Sequence, residues 1–136
     1  MKNSIEDRHS SVETVFCPFT KKDIEQSISS CFERQVRQHP HRLAIKTYEH
    51  QLTYESLNQA ANRLAHSILA QCGEGHEPIP ILFEHGAMML VAMLGVLKAG
   101  KSWVPIDPTY PLARISHLLE TFQSAVVVTN RRNSIL

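Results

Sequence analysis

The sequence runs to 136 residues, 43% of them hydrophobic and 20% charged, with 14 basic and 13 acidic side chains and a formal net charge of +1. That composition excludes the disordered class, and the balanced charge leaves no electrostatic footprint for nucleic acid or an anionic membrane surface. The length suits one domain or a piece of one, with a modest core.

Residues 1–20 are polar and mixed, show no period, and read as a flexible lead-in with Pro18 near its end. Over residues 21–38 the apolar side chains of Ile24, Ile28, Cys31, Phe32 and Val36 recur at spacings of three and four, which predicts one helix with one apolar face. His39-Pro40 closes it, because the residue before a proline avoids the helical region. Residues 43–48 read as a short strand, 49–51 as a polar turn and 52–54 as a returning strand. Thr53 is the expected N-cap of the next helix. Leu57, Ala60, Ala61, Leu64, Ala65, Ile68 and Leu69 make one stripe along that helix, and Gly73 and Gly75 end it.

The remainder alternates. Residues 79–83 are a strand, and residues 87–98 are a helix that is apolar nearly all round and hence expected to be buried, with Gly100 as its terminator. The apolar run over residues 86–97 is too short for a bilayer, which takes about 20 residues. Residues 102–106 form the next strand, 111–122 a helix with Pro111 at an early position, and 125–129 a β-branched third strand. Strands and helices in alternation with short connections imply an α/β fold built of βαβ units, a partial parallel sheet with flanking helices. Such a sheet needs cover on both faces and protected edges. The pattern stops soon after the third strand, so an incomplete domain is expected.

Candidate chemistry is sparse. Gly73 and Gly75 follow a helix and precede Pro78, the wrong context for a phosphate cradle, so they read as a helix stop. Of the histidines His9, His39, His41, His50, His66, His76, His85 and His117, only His39 and His41 are close, and surface roles are expected for all eight. The three cysteines, Cys17, Cys31 and Cys72, form no CxxC pair, which argues against disulfides and zinc and fits a reducing cytoplasm. Cys72 falls at a helix C-terminus, where the macrodipole disfavours a thiolate. Ser27, Ser56, Ser102 and Ser116 lack a glycine elbow. Asp107 follows a strand end, where carboxylates are often functional, but Asp107-Pro108 also suits a turn cap, and the turn is the preferred reading. Lys98 and Lys101 flank Gly100, and neither needs a catalytic role. No signal peptide is expected, since residues 1–30 hold no long apolar run.

Residues 97–108, LKAGKSWVPIDP, resemble the second core motif of the amino-acid adenylation domains of nonribosomal peptide synthetases, in the AMP-dependent ligase superfamily. Tyr110-Pro111 and Arg114 continue that match. Residues 52–57, LTYESL, resemble the first core motif, and residues 24–28 and 32–36 followed by Pro40 are similar to the helix that opens these domains. The resemblance covers residues 19–136. Three departures stand out: Ser56 replaces a usual glutamate, Ser102-Trp103 replaces a small residue followed by tyrosine, and Cys31 replaces an arginine. With Thr53 as N-cap, Ser56 stands at N3, so the capping-box partner is missing and a small loss of stability is expected.

The resemblance implies an enzyme in which an amino-acid carboxylate attacks the α-phosphorus of ATP with Mg2+, giving an acyl-adenylate and pyrophosphate. The acyl group then passes to the phosphopantetheine thiol of a carrier protein. The family's phosphate loop, nucleotide contacts, specificity pocket and catalytic lysine all lie downstream of the second motif. No catalytic, cofactor-binding or metal residue is therefore carried over. The expectation is a truncated N-terminal portion of an adenylation domain over residues 21–136, inactive alone and needing no cofactor itself. Its partners would be the remainder of that domain and, in the full family, carrier and condensation domains. Two other readings compete: a stand-alone module docking on an intact synthetase, and a piece of an acyl- or aryl-CoA ligase.

Overall fold

The computed structural model describes residues 19–135; most of the expected lead-in, with Cys17 and Pro18, lies outside them. The single helix expected over residues 21–38 is two helices, α1 (Lys21–Ile24) and α2 (Ile28–Gln38). Short polar side chains that bond to nearby backbone compete with a continuing helix. Ser27, in extended backbone, caps α2 by accepting the Ser30 N–H at 3.1 Å. Asp23 Oδ2 accepts the Thr20 N–H at 2.6 Å and its hydroxyl at 2.8 Å. Arg34 reaches back to pair with Asp23 and donates to Gln26 Oε1 at 3.2 Å. The apolar face breaks at the same place: Ile24 and Ile28 are exposed, while Phe32 packs on Tyr54 with centroids 6.1 Å apart.

These bonds make the corner sensitive to pH. The Thr20 N–H first, then its hydroxyl and Arg34, hold the Asp23 carboxyl at about 2. A carboxyl depressed in the folded state stabilises above its unfolded value of about 3.9, and that contribution is lost as pH falls toward about 2. The α1–α2 corner is therefore expected to loosen between those limits and to lose this response in Asp23→Asn. An NMR titration placing the Asp23 midpoint at the ordinary carboxylate value would contradict it.

Antiparallel strands β1 (Leu43–Lys46) and β2 (Gln51–Thr53) pair Leu43 with Thr53 and Lys46 with Gln51. Thr47 closes the turn, its Oγ1 accepting the His50 N–H at 3.0 Å. Thr53 then caps α3 (Tyr54–Cys72), as expected, its Oγ1 accepting the Ser56 N–H at 3.2 Å. Ser56, at N3, donates its hydroxyl to the Thr53 carbonyl at 3.1 Å, so the reciprocal half of a capping box is not made. Leu57, Ala61, Ala65 and Ile68 of the expected stripe are buried. Gly73 ends the helix at φ +68°, in the left-handed region that glycine enters without steric cost.

The second sheet contains β3 (Ile79–Leu82), β4 (Trp103–Ile106) and β5 (Val128–Thr129) in the order β4-β3-β5, all parallel. Helix α4 (Ala87–Lys98) joins β3 to β4, and α5 (Leu112–Phe122) carries the chain from β4 past β3 to β5. Crossovers of one hand that run in opposite directions place their helices on opposite faces. Accordingly Ile79 and Ile81 pack with Ala65, Ile68, Ala92 and Val96 on the α3–α4 side. Leu82 and Ile106 pack with Ile115 of α5 on the other.

Strands β1, β2, β3 and β4 are each shortened or shifted by one or two residues from expectation, and Gln51, expected in the turn, opens β2; three further elements differ more. Helix α4 is not buried all round, since Met88 and Leu90 are exposed. Pro111 is the N-cap of α5 rather than a residue of its first turn; its carbonyl accepts the Arg114 and Ile115 N–H groups at 2.8 and 3.1 Å. Strand β5 has two residues where residues 125–129 were expected. Prolines explain much of this. Ile79 donates its N–H to the Ser102 carbonyl at 2.8 Å, so it faces β4. Backbone groups alternate along a strand, so Pro80, which has no N–H, faces β5 and ends that ladder. Ser124 occupies the freed backbone by donating its hydroxyl to the Val126 carbonyl at 2.8 Å. The same alternation turns Pro105 to the outside of β4, blunting an edge that the strand pattern alone leaves open.

Candidate functional site

The chain leaves β3 toward β4 and then returns across the sheet to β5. Ligands of open parallel sheets bind where such directions diverge, outside the carboxyl ends of the strands. A cavity of about 630 Å³ opens at that place, walled by residues 83–88 after β3, 130–132 after β5 and 47–50 at the tip of the β1–β2 hairpin. Its walls are held by hydrogen bonds that replace the short ladder. Thr129 Oγ1 donates to the Leu82 carbonyl at 2.8 Å. Buried Asn133 donates to that carbonyl and to Glu84 Oε2, both at 3.4 Å, and Asn130 donates to Glu84 Oε2 at 3.1 Å. The Glu84 carboxyl lies below the usual carboxylate range, chiefly through its own backbone N–H, with help from Asn130, Asn133 and the Arg132 charge.

Glu49, Glu84, Arg131 and Arg132 line the cavity with His50 and His85, so its formal charges cancel. No serine, cysteine or lysine is among the lining residues. The crevice combines these charged groups with the hydroxyls of Thr47 and Tyr48 and with the apolar side chains of Phe83, Ala87 and Met88. It arises from strand order, which no local pattern encodes. The available signal was the polar runs Glu84-His85 and Asn130-Arg131-Arg132 at two strand ends.

The residues weighed from sequence are scattered. Asp107 takes the turn role: its Oδ1 accepts the Thr109 N–H at 2.8 Å and hydroxyl at 2.7 Å, and these bonds, with His85 nearby, lower its carboxyl. His41 lies 3.6 Å from Glu55, and His76 Nδ1 lies 3.2 Å from the Gly100 carbonyl. Among the described residues, no group of three His, Cys, Asp or Glu side chains could hold a metal ion. Cys72 is the last residue of α3 and half-buried, and Cys31 Sγ lies 3.7 Å from the Asp23 carbonyl. Ser27 and Ser56 serve helix starts, while Ser102 and Ser116 are exposed. Lys98 pairs with Glu33, its Nζ 5.8 Å from the centre of the Phe32 ring. Buried Lys101 donates to Glu77 Oε1 at 2.7 Å and to the Gly75 carbonyl at 2.8 Å.

A model of the AMP-binding enzyme family matches residues 32–135. A linear gramicidin synthase of Brevibacillus parabrevis is 45% identical over 102 residues, covering 74% of this chain and 2% of that protein. Surfactin synthase subunit 2 of Bacillus subtilis is 38% identical over 109 residues, covering 80% of this chain and 3% of that protein. Among solved structures, the nonribosomal peptide synthetase FmoA3 superposes with a TM-score of 0.77 at 26% identity, over 81% of this chain and 12% of that one. The chain thus spans only a few per cent of the length of these curated relatives.

Proposed function

The chain belongs to the AMP-binding enzyme family, and from that premise we propose that it is the N-terminal portion of an adenylation domain that activates an amino acid for nonribosomal peptide synthesis. The observation that carries this is the family match over residues 32–135, joined to 45% identity with a linear gramicidin synthase. In the parent enzyme the carboxylate of the amino acid would attack ATP, with Mg2+, to give an aminoacyl-adenylate. The product would then pass to a phosphopantetheine thiol on a carrier domain. Residues 21–136 then make the adenylation portion, residues 1–20 its lead-in, and the location is cytoplasmic. No helix among the described residues is long and apolar enough to cross a membrane.

The Gly73–Gly75 turn does not fit the phosphates of ATP. The Gly73–Gly75 segment follows a helix rather than a strand, and the Gly75 carbonyl is taken by Lys101. No step is therefore assigned to this chain through the nucleotide. Its part is architectural: α3, α4 and the parallel strands form a scaffold that other parts of the domain would complete.

Two measurements test the reading. The 136-residue chain alone is expected to give ATP–pyrophosphate exchange no higher than a no-protein control with each proteinogenic amino acid. Residues 32–135, exchanged for the matching segment of a gramicidin synthase adenylation domain, are expected to leave that domain's exchange activity intact. A chimera that folds and has lost exchange altogether would sink the assignment.

A further inference from the structure

We infer that α1 and α2 form a strap that opens as one unit, on a salt-sensitive latch, from a core of α3, α4 and the parallel sheet. The strap is tied to itself: Asp23 binds Thr20 and Arg34, and Arg34 binds Gln26. It is thinly buried. Helix α2 has no buried residue, and α1 buries only Asp23. By contrast α3 buries four residues and α4 five. Segments with little buried apolar surface open locally at far lower free energy than the core beneath them.

The latch is visible in the contacts between strap and core. Glu33 of α2 pairs with Lys98 of α4, whose side chain is only 5% exposed, and Phe32 lies between that ammonium and Tyr54 of α3. Glu33 itself is 45% exposed, so dissolved salt reaches the pair and screens it. The hinge is equally well marked. The chain leaves helical geometry at His39, and the next residues are fastened to the start of α3. The Pro40 carbonyl accepts the Glu55 N–H at 2.9 Å, and the Arg42 carbonyl accepts the Tyr54 N–H at 3.0 Å. Between strap and core runs a groove of about 380 Å³ whose walls include Phe32, Tyr54 and Leu94. Opening bares that apolar wall and the Lys98 ammonium while leaving the sheet intact.

Native-state hydrogen exchange on the full chain tests this. Amides of α2 are expected to exchange through an opening that leaves α3 and α4 protected, and added salt should speed α2 alone. Glu33→Gln should accelerate α2 exchange by about tenfold or more, because it leaves the nearly buried Lys98 ammonium without its counter-charge, with α3 unchanged. The reversed pair Glu33→Lys with Lys98→Glu should restore the slower rate. Exchange of α2 in step with α3, or acceleration of both by Glu33→Gln, would overturn the proposal.

Discussion

Gly95→Leu is expected to cost the fold about 3 kcal/mol or more, because it forces a large side chain into the closest approach of α3 and α4. A Cβ at position 95 would lie 2.7 Å from Leu64 Cδ2, 2.9 Å from its Cγ and 3.0 Å from its Cβ. The far end of the leucine can swing aside, but its Cβ moves only with the α3 backbone. Gly95→Ala separates two opposed effects. Alanine gains about 1 kcal/mol over glycine inside a helix. Overpacking a filled core costs about 1–3 kcal/mol. The steric effect wins here because three atoms of one residue are too close, so a net loss of about 1 kcal/mol is expected. Leu64→Ala should relieve it, leaving a favourable coupling in the double-mutant cycle. Denaturant midpoints at unchanged slope measure all four proteins. Gly95→Ala more stable than the parent by the full helical gain would show that the helices are not in close contact.

The second large effect is an asymmetry between two partners of one ion pair. The Lys101 side chain is fully buried, whereas Glu77 is 35% exposed. Glu77→Ala leaves the Lys101 ammonium buried with the Gly75 carbonyl and without its counter-charge, at an expected cost of about 3 kcal/mol. Lys101→Met removes the charge and keeps the volume. Glu77 can turn to water, so a change within about 1 kcal/mol is expected. Glu77 lies below the ordinary carboxylate range chiefly because of Lys101, so the pair's contribution is present above that range and weakens as pH falls through it. Gly75 belongs to the same arrangement, since a Cβ there would sit 2.1 Å from a Glu77 carboxylate oxygen. Thermal unfolding of the two variants decides the matter: Lys101→Met less stable than Glu77→Ala would reject this account.

Much of the architecture was legible where local signals agree. Helix α3 has an N-cap, a clean stripe and a glycine stop, and all three stand where the sequence puts them. Gly100, at φ +74°, marks the end of α4 for the same reason. The helix over residues 21–38 misled because its apolar period runs through a break made by polar side chains. Short-range bonds of Ser27 and Asp23 outweighed a weak apolar face whose first two members, Ile24 and Ile28, lie in solvent. The end of β5 depended on a proline in a different strand, and the crevice on the order in which strands assemble. Neither is a property of a window of sequence. Lys98 and Lys101 illustrate the same limit: charge and position were plain, but Glu33 and Glu77 became their partners only through tertiary packing. Two residues of the motifs that mark the family have structural contacts in this fold: Thr53 starts a helix and Lys98 joins two.

Pro105 has a bearing on how copies of this chain meet. A strand arriving alongside β4 would seek alternating donors and acceptors, and at Pro105 it finds an acceptor with no donor beside it. Templated stacking of chains, the route to fibrils, is therefore obstructed on that flank. Association at that flank should proceed through side-chain surfaces, of the kind that exposed Met88 and Leu90 present on α4, rather than by strand addition to β4.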